Sequence, residues 1–136
     1  MGARLVDKVR SREEEVFFEI PEGKEISVGR AVEGSVKNDI EIPDKEERPY
    51  SRVSRKHAAL KYEKGILYVR DLGSKNGTIA GKENVEKKWV ALKDRTSLIL
   101  GHYYEFLVRY DAQKEDTGEI GLAPVEDEPQ TKPVKF

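Results

Sequence analysis

The chain contains no cysteine, which excludes a disulfide framework and any cysteine-based zinc or redox site. Histidine is almost as scarce: His57 and His102 are the only imidazoles, and no metal site is expected. No apolar run approaches the ~18 residues that a membrane-spanning helix needs. The N-terminus has no signal-peptide core, and Val6 stands where a Met-Gly acylation motif wants serine or threonine. These absences predict a soluble, cytoplasmic protein with no membrane partner and no cofactor. Uncharged polar residues are also thin, with two Gln and three Asn beside 38% charged residues, where an average domain has about 25%. That bias toward Lys and Glu is the one associated with high-temperature proteins and predicts a thermophilic source; a melting temperature below ~65 °C would contradict it.

What is present reads as strands. Val16 to Ile20, Ile26 to Val28, Asp39 to Ile42, Ala58 to Tyr62, Ile66 to Arg70 and Tyr103 to Tyr110 carry aromatic or β-branched residues, in part alternating, and Pro or Gly punctuates several of them. Shorter runs at Thr78 to Val85, Trp89 to Leu92 and Ser97 to Leu100 complete the set, and no window has convincing helical periodicity. Short strands at regular spacing predict an all-β sandwich or barrel. Residues 1–110 form one domain on this reading. Residues 111–136 hold three of the six prolines and are expected to be a disordered tail. Charge divides at the same point: 22 bases and 19 acids precede Asp111, and 3 bases and 7 acids follow from it.

The densest concentration of donors is Arg52-Val53-Ser54-Arg55-Lys56-His57, three cations and a serine beside a histidine, feeding directly into Ala58-Ala59-Leu60. That is more positive charge than a solvated turn requires, and its natural partner is an anion. Gly29-Arg30 follows the apolar Ile26 to Val28, and Gly73-Ser74-Lys75-Asn76-Gly77 follows the run ending at Leu72. Because Ala58 to Tyr62 and Ile66 to Arg70 have hairpin spacing, the end of the second lies beside the start of the first. Ser54 and Asn76 are therefore predicted to be neighbours.

Gly29-Arg30, then Ser54-x-x-His57, then Asn76-Gly77, in that order, resemble the forkhead-associated (FHA) domain over about residues 5 to 110. The resemblance implies a sandwich of two antiparallel sheets whose loops at one end bind phosphothreonine peptides. Carried over residue by residue, it makes Arg30 the phosphate anchor, Ser54 a hydroxyl donor to the phosphate and Arg55 a second cation. Asn76 would bond the backbone of the peptide, with Ser74 and Lys75 lining the same groove. Arg52 would favour an acidic residue three positions beyond the phosphothreonine. Gly29, His57 and Gly77 would support the loops. Two features depart from the pattern: Asp44 to Arg52 is a longer connection than the family usually has, and Ala80-Gly81 stands where a second Asn-Gly is common.

The expected function is thus recruitment of a phosphorylated partner in Ser/Thr kinase signalling. The alternative is a degenerate domain that keeps the fold as a protein-interaction unit without phosphate dependence. An enzyme is not expected, because Ser54 lacks a Gly-x-Ser-x-Gly elbow and Gly73 to Thr78 lacks the Gly-Lys-Ser/Thr ending of a nucleotide loop. Nucleic acid is not expected either: a net charge of +3 is modest, and Tyr68, Trp89 and Phe106 are read as core residues, not as stacking platforms. The tail supplies one intramolecular ligand. Thr117 is seven residues past Tyr110 and too short of reach, whereas the 21 residues to Thr131 span ~25 Å as a flexible chain. Unchanged peptide affinity after phosphorylation of Thr131, relative to a chain truncated after Tyr110, would remove that expectation.

Overall fold

The computed structural model describes residues 2–35 and 37–111. Among these, eleven strands form two sheets, and the only helical element is a single 3-10 turn at Tyr50–Arg52. The strands are β1 (Ala3–Asp7), β2 (Phe17–Ile20), β3 (Glu25–Arg30), β4 (Ile40–Ile42), β5 (Ala58–Glu63) and β6 (Ile66–Asp71), then β7 (Thr78–Ala80), β8 (Glu83–Val85), β9 (Val90–Leu92), β10 (Ser97–Leu100) and β11 (Tyr104–Tyr110). One sheet has the order β2-β1-β11-β10-β7-β8 and the other β4-β3-β5-β6-β9. The expected all-β sandwich is the fold observed.

The core follows from the two-residue period of a strand, which sends alternate side chains to one face. Along β11 this buries Tyr104, Phe106 and Val108, and along β6 it buries Leu67 and Val69. Leu5, Leu98 and Leu100 of the first sheet meet Val28, Ile42 and Leu60 of the second in one cluster, each no more than 2% exposed. Burying a side chain of this size stabilises by about 1.5–3 kcal/mol, so this layer holds the sheets together.

Two aromatic residues lie elsewhere than the sequence reading placed them. Tyr68 and Trp89, expected in the core, lie half-buried on the outer face of the second sheet, whereas Phe106 is fully buried as expected. The phase of β6 decides this, since Leu67 and Val69 point inward and force Tyr68 outward; apolar residues on both faces hid that phase in the sequence. Lys61 sits 4.6 Å and Arg70 4.9 Å from the centre of the Trp89 ring. The Pro21-Glu22-Gly23 turn joins β2 to β3. It carries the chain from one sheet to the other, held at Gly23 by a 2.9 Å bond from its N–H to the Tyr62 carbonyl.

The β5/β6 hairpin is as predicted, in register from Ala58↔Asp71 to Glu63↔Ile66. Lys64 and Gly65 turn it with φ of 52° and 81°, the double positive φ of the tight turns that match strand twist. β4 pairs with β3 in parallel, the exception to the expected antiparallel sheets, with Arg30 opposite Ile42. This edge pairing brings the start of the long 43–57 connection beside the end of β3.

Candidate functional site

Loops following β3, β4 and β6 meet at one end of the sandwich, together with the turn between β10 and β11. The serine loop is laced onto β3 through backbone groups: Arg30 N–H donates to the Ser54 carbonyl at 2.9 Å and His57 N–H to the Val28 carbonyl at 3.0 Å. Gly29 makes this approach possible. A Cβ there would overlap the Arg55 carbonyl, which also accepts a 2.7 Å bond from the buried Asn38 side chain.

His57 is fully buried and ties two loops together. Its Nδ1 accepts from the Ser54 backbone N–H at 2.9 Å, so the ring proton is on Nε2, which donates to the Gly77 carbonyl at 2.8 Å. Burial lowers its pKa, opposed by the Gly77 carbonyl and by Asp71. Both ring nitrogens are spent on backbone, and neither faces the serine hydroxyl as the base of a nucleophilic pair would.

The residue that sequence reading missed is Asp71, at the end of β6. One carboxylate oxygen accepts from the N–H groups of Gly73 and Ser74, both at 2.8 Å; the other accepts from the hydroxyls of Ser74 at 2.6 Å and Thr78 at 2.7 Å. Burial opposes its ionisation, but these hydrogen bonds prevail and hold its pKa below the ordinary value. The signal was present as Asp71-x-Gly73-Ser74 at a strand end, the pattern of an aspartate that caps its own turn.

The Ser54 hydroxyl oxygen accepts the Lys75 backbone N–H at 3.0 Å, which leaves its own proton to be donated outward. Asn76 donates through Nδ2 to the Arg52 carbonyl at 3.1 Å. The Arg30 guanidinium is fixed at Nε by a 2.8 Å bond to the Val53 carbonyl and paired at Nη1 with Asp44, 2.6 Å away. Ser54 and Asn76 are neighbours, as the hairpin argument predicted.

Of the residues singled out by sequence, Arg30, Arg52, Ser54, Lys75 and Asn76 line one depression of about 350 Å³. Arg55 is exposed but outside its walls, and the Ser74 hydroxyl is turned away into the Asp71 network. Gly29, His57 and Gly77 lie beneath it as backbone supports. Arg48 joins the wall unforeseen, because a cation inside a charged run has no distinguishing pattern. It leans on Tyr103 with its guanidinium 5.0 Å from the ring centre, and Arg52 approaches the same ring at 5.7 Å. Four cations thus border a polar depression, and one of them, Arg30, is paired with Asp44 from outside its lining.

The FHA domain family matches this chain over residues 26–101. The chain belongs to the FHA domain family. An FHA domain-containing protein of Arabidopsis thaliana is 34% identical over 89 residues, 65% of this chain and 21% of that protein. The chain therefore spans about a fifth of that relative's length. Among solved structures, the FHA domain of an Arabidopsis thaliana hypothetical protein aligns over 85% of this chain and 91% of its own, with 28% identity and a TM-score of 0.63. A chain from a structural and functional analysis of phosphothreonine-dependent FHA domain interactions aligns over 83% of this chain and all of its own, at 24% identity and a TM-score of 0.62, a likeness of fold. FHA domains are interaction modules, and the motifs that carried the sequence resemblance all fall within the matched span or on its loops.

Proposed function

We propose that this FHA domain binds phosphothreonine in a partner protein and so recruits that partner in Ser/Thr kinase signalling, without catalysing a reaction. The observation that carries the reading is the convergence of the Arg30 guanidinium and the Ser54 hydroxyl, its proton unspent, on one cationic depression. A phosphate with about 1.5–2 negative charges takes charge-assisted hydrogen bonds contributing ~1.5–3 kcal/mol each. Three or four reach the ~8 kcal/mol of micromolar affinity. In this reading Arg30 and Ser54 hold the phosphate and Arg55 adds a cation at its margin. Asn76, its Nδ2 spent on the Arg52 carbonyl, uses Oδ1 to accept a peptide N–H. Lys75 contributes charge to the same wall, Ser74 acts through the loop it shapes, and Arg52 reads an acidic residue three positions on. The phosphothreonine-dependent interactions of the solved relative belong to that protein; they support the ligand class here through shared fold.

An oriented peptide library tests the reading. Phosphothreonine is expected to be selected over phosphoserine by about tenfold, since one fitted methyl is worth ~1–3 kcal/mol, and unphosphorylated peptides are not retained. Retention independent of phosphorylation would favour the alternative, an FHA fold kept as a plain interaction unit.

A further inference from the structure

The Arg30–Asp44 pair bears on how this site admits a ligand. Arg30 presents its donors as forks, and the side-on fork is already closed because Nε is bound to the Val53 carbonyl at 2.8 Å. The remaining fork, Nη1 with Nη2, is the one suited to two phosphate oxygens. Asp44 holds Nη1 of that fork at 2.6 Å. Its position is set by the sheet: β4 pairs in parallel with β3 so that Ile42 lies opposite Arg30, and Ala31 N–H donates to the Ile42 carbonyl at 2.8 Å. Two residues on, the carboxylate arrives at the guanidinium as a consequence of backbone register. The carboxylate is 45% exposed and lies on the long connection to the serine loop, so it can swing away.

We propose that Asp44 is a built-in competitor for the anion site, which an incoming phosphate must displace from Arg30 and which sets an affinity threshold for every ligand; this rests on the reading of Arg30 as the phosphate anchor. A tethered carboxylate competes at high effective concentration, whatever the free ligand is. It therefore weakens every anion at this position by one common factor, and ligands that bind Arg30 weakly fall below the useful range first. The phosphate dianion has the charge to win the exchange, whereas a glutamate or aspartate side chain carries only what Asp44 itself carries. An exposed pair of this kind shifts an equilibrium by up to about fivefold.

The test is calorimetric or NMR titration of two probes, a library-selected phosphothreonine peptide and inorganic phosphate, into wild type, Asp44→Asn and Glu46→Gln. Asp44→Asn is expected to strengthen both probes by the same factor, about two- to fivefold. Glu46→Gln, which removes an equal charge from the same exposed connection, is expected to change neither. Combining Asp44→Asn with Arg30→Lys should abolish the gain, because the two act through one contact. Unchanged or weaker binding by Asp44→Asn, or a gain matched by Glu46→Gln, overturns the competitor. Absence of binding by wild type and Asp44→Asn alike, to peptide and to phosphate, would instead overturn the anchor itself and this proposal with it.

Discussion

At the scale of single residues, the site depends on groups whose protonation states are fixed by their neighbours. His57 must be neutral, because only an unprotonated Nδ1 can accept the Ser54 N–H. Its folded pKa is lowered below the unfolded value of about 6.5, so the unfolded chain takes up the proton first as pH falls. The stabilisation is complete above that pH and is lost progressively below it. Asp71, also lowered, loses its contribution only near the ordinary carboxylate range. The ligand-free domain is accordingly expected to melt at a lower temperature at pH 5 than at pH 7, and a His57→Gln variant to show a flatter profile over that interval. A wild-type profile flat from pH 7 to 5 would contradict the neutral state assigned to His57. Stability is the right readout, since phosphate itself gains a proton near pH 6 and would confound a binding curve. His57 was legible as a support because the resemblance named it. Asp71 was missed: the Asp71-x-Gly73-Ser74 pattern marks a turn-capping aspartate, but it does not show the Thr78 hydroxyl that the fold adds to the network.

At the scale of elements, the hairpin β5/β6 was legible because its two strands and its Lys64-Gly65 turn are contiguous, and it alone predicted that Ser54 and Asn76 meet. The pairing of β4 with β3 was not legible. Nothing in Asp39 to Ile42 says which strand it joins or in which direction, yet that parallel register delivers Asp44 to Arg30. The outward side of β6 was hidden for a related reason, since Tyr68 is as apolar to a pattern as Val69. Close packing of elements gives Gly29 its role: the serine loop rides on β3 because no Cβ intervenes. Gly29→Ala is expected to push the Arg55 carbonyl outward, cost about 1–3 kcal/mol of stability and weaken phosphopeptide binding along with it. An alanine variant with wild-type melting and affinity would show that the loop is not held by this contact.

At the scale of the whole molecule, the sandwich separates the site from the chain's exit. Tyr110, the last residue of β11, bonds through its hydroxyl to Leu67 and Leu92, toward the β5/β6 turn and away from Ser54 and Asn76. The acidic segment with Thr117 and Thr131 lies outside the described residues, so engagement of Thr131 with the groove stands as a proposal resting on chain length and on the opposite charges of the two segments. Among the described residues no helix is long and apolar enough to cross a membrane. The near-neutral total charge conceals a basic 1–110 segment, and the fold gathers four of its cations, Arg30, Arg48, Arg52 and Lys75, from three separate stretches at one loop end. The central claim is that this end grips a phosphate by a planar two-pronged contact from Arg30. It is tested most directly by titrating one phosphothreonine peptide into wild type and Arg30→Lys, which keeps the charge and removes the fork. The account predicts that the lysine variant binds at least about tenfold more weakly, the loss of one charge-assisted bond. Binding within twofold of wild type would contradict it.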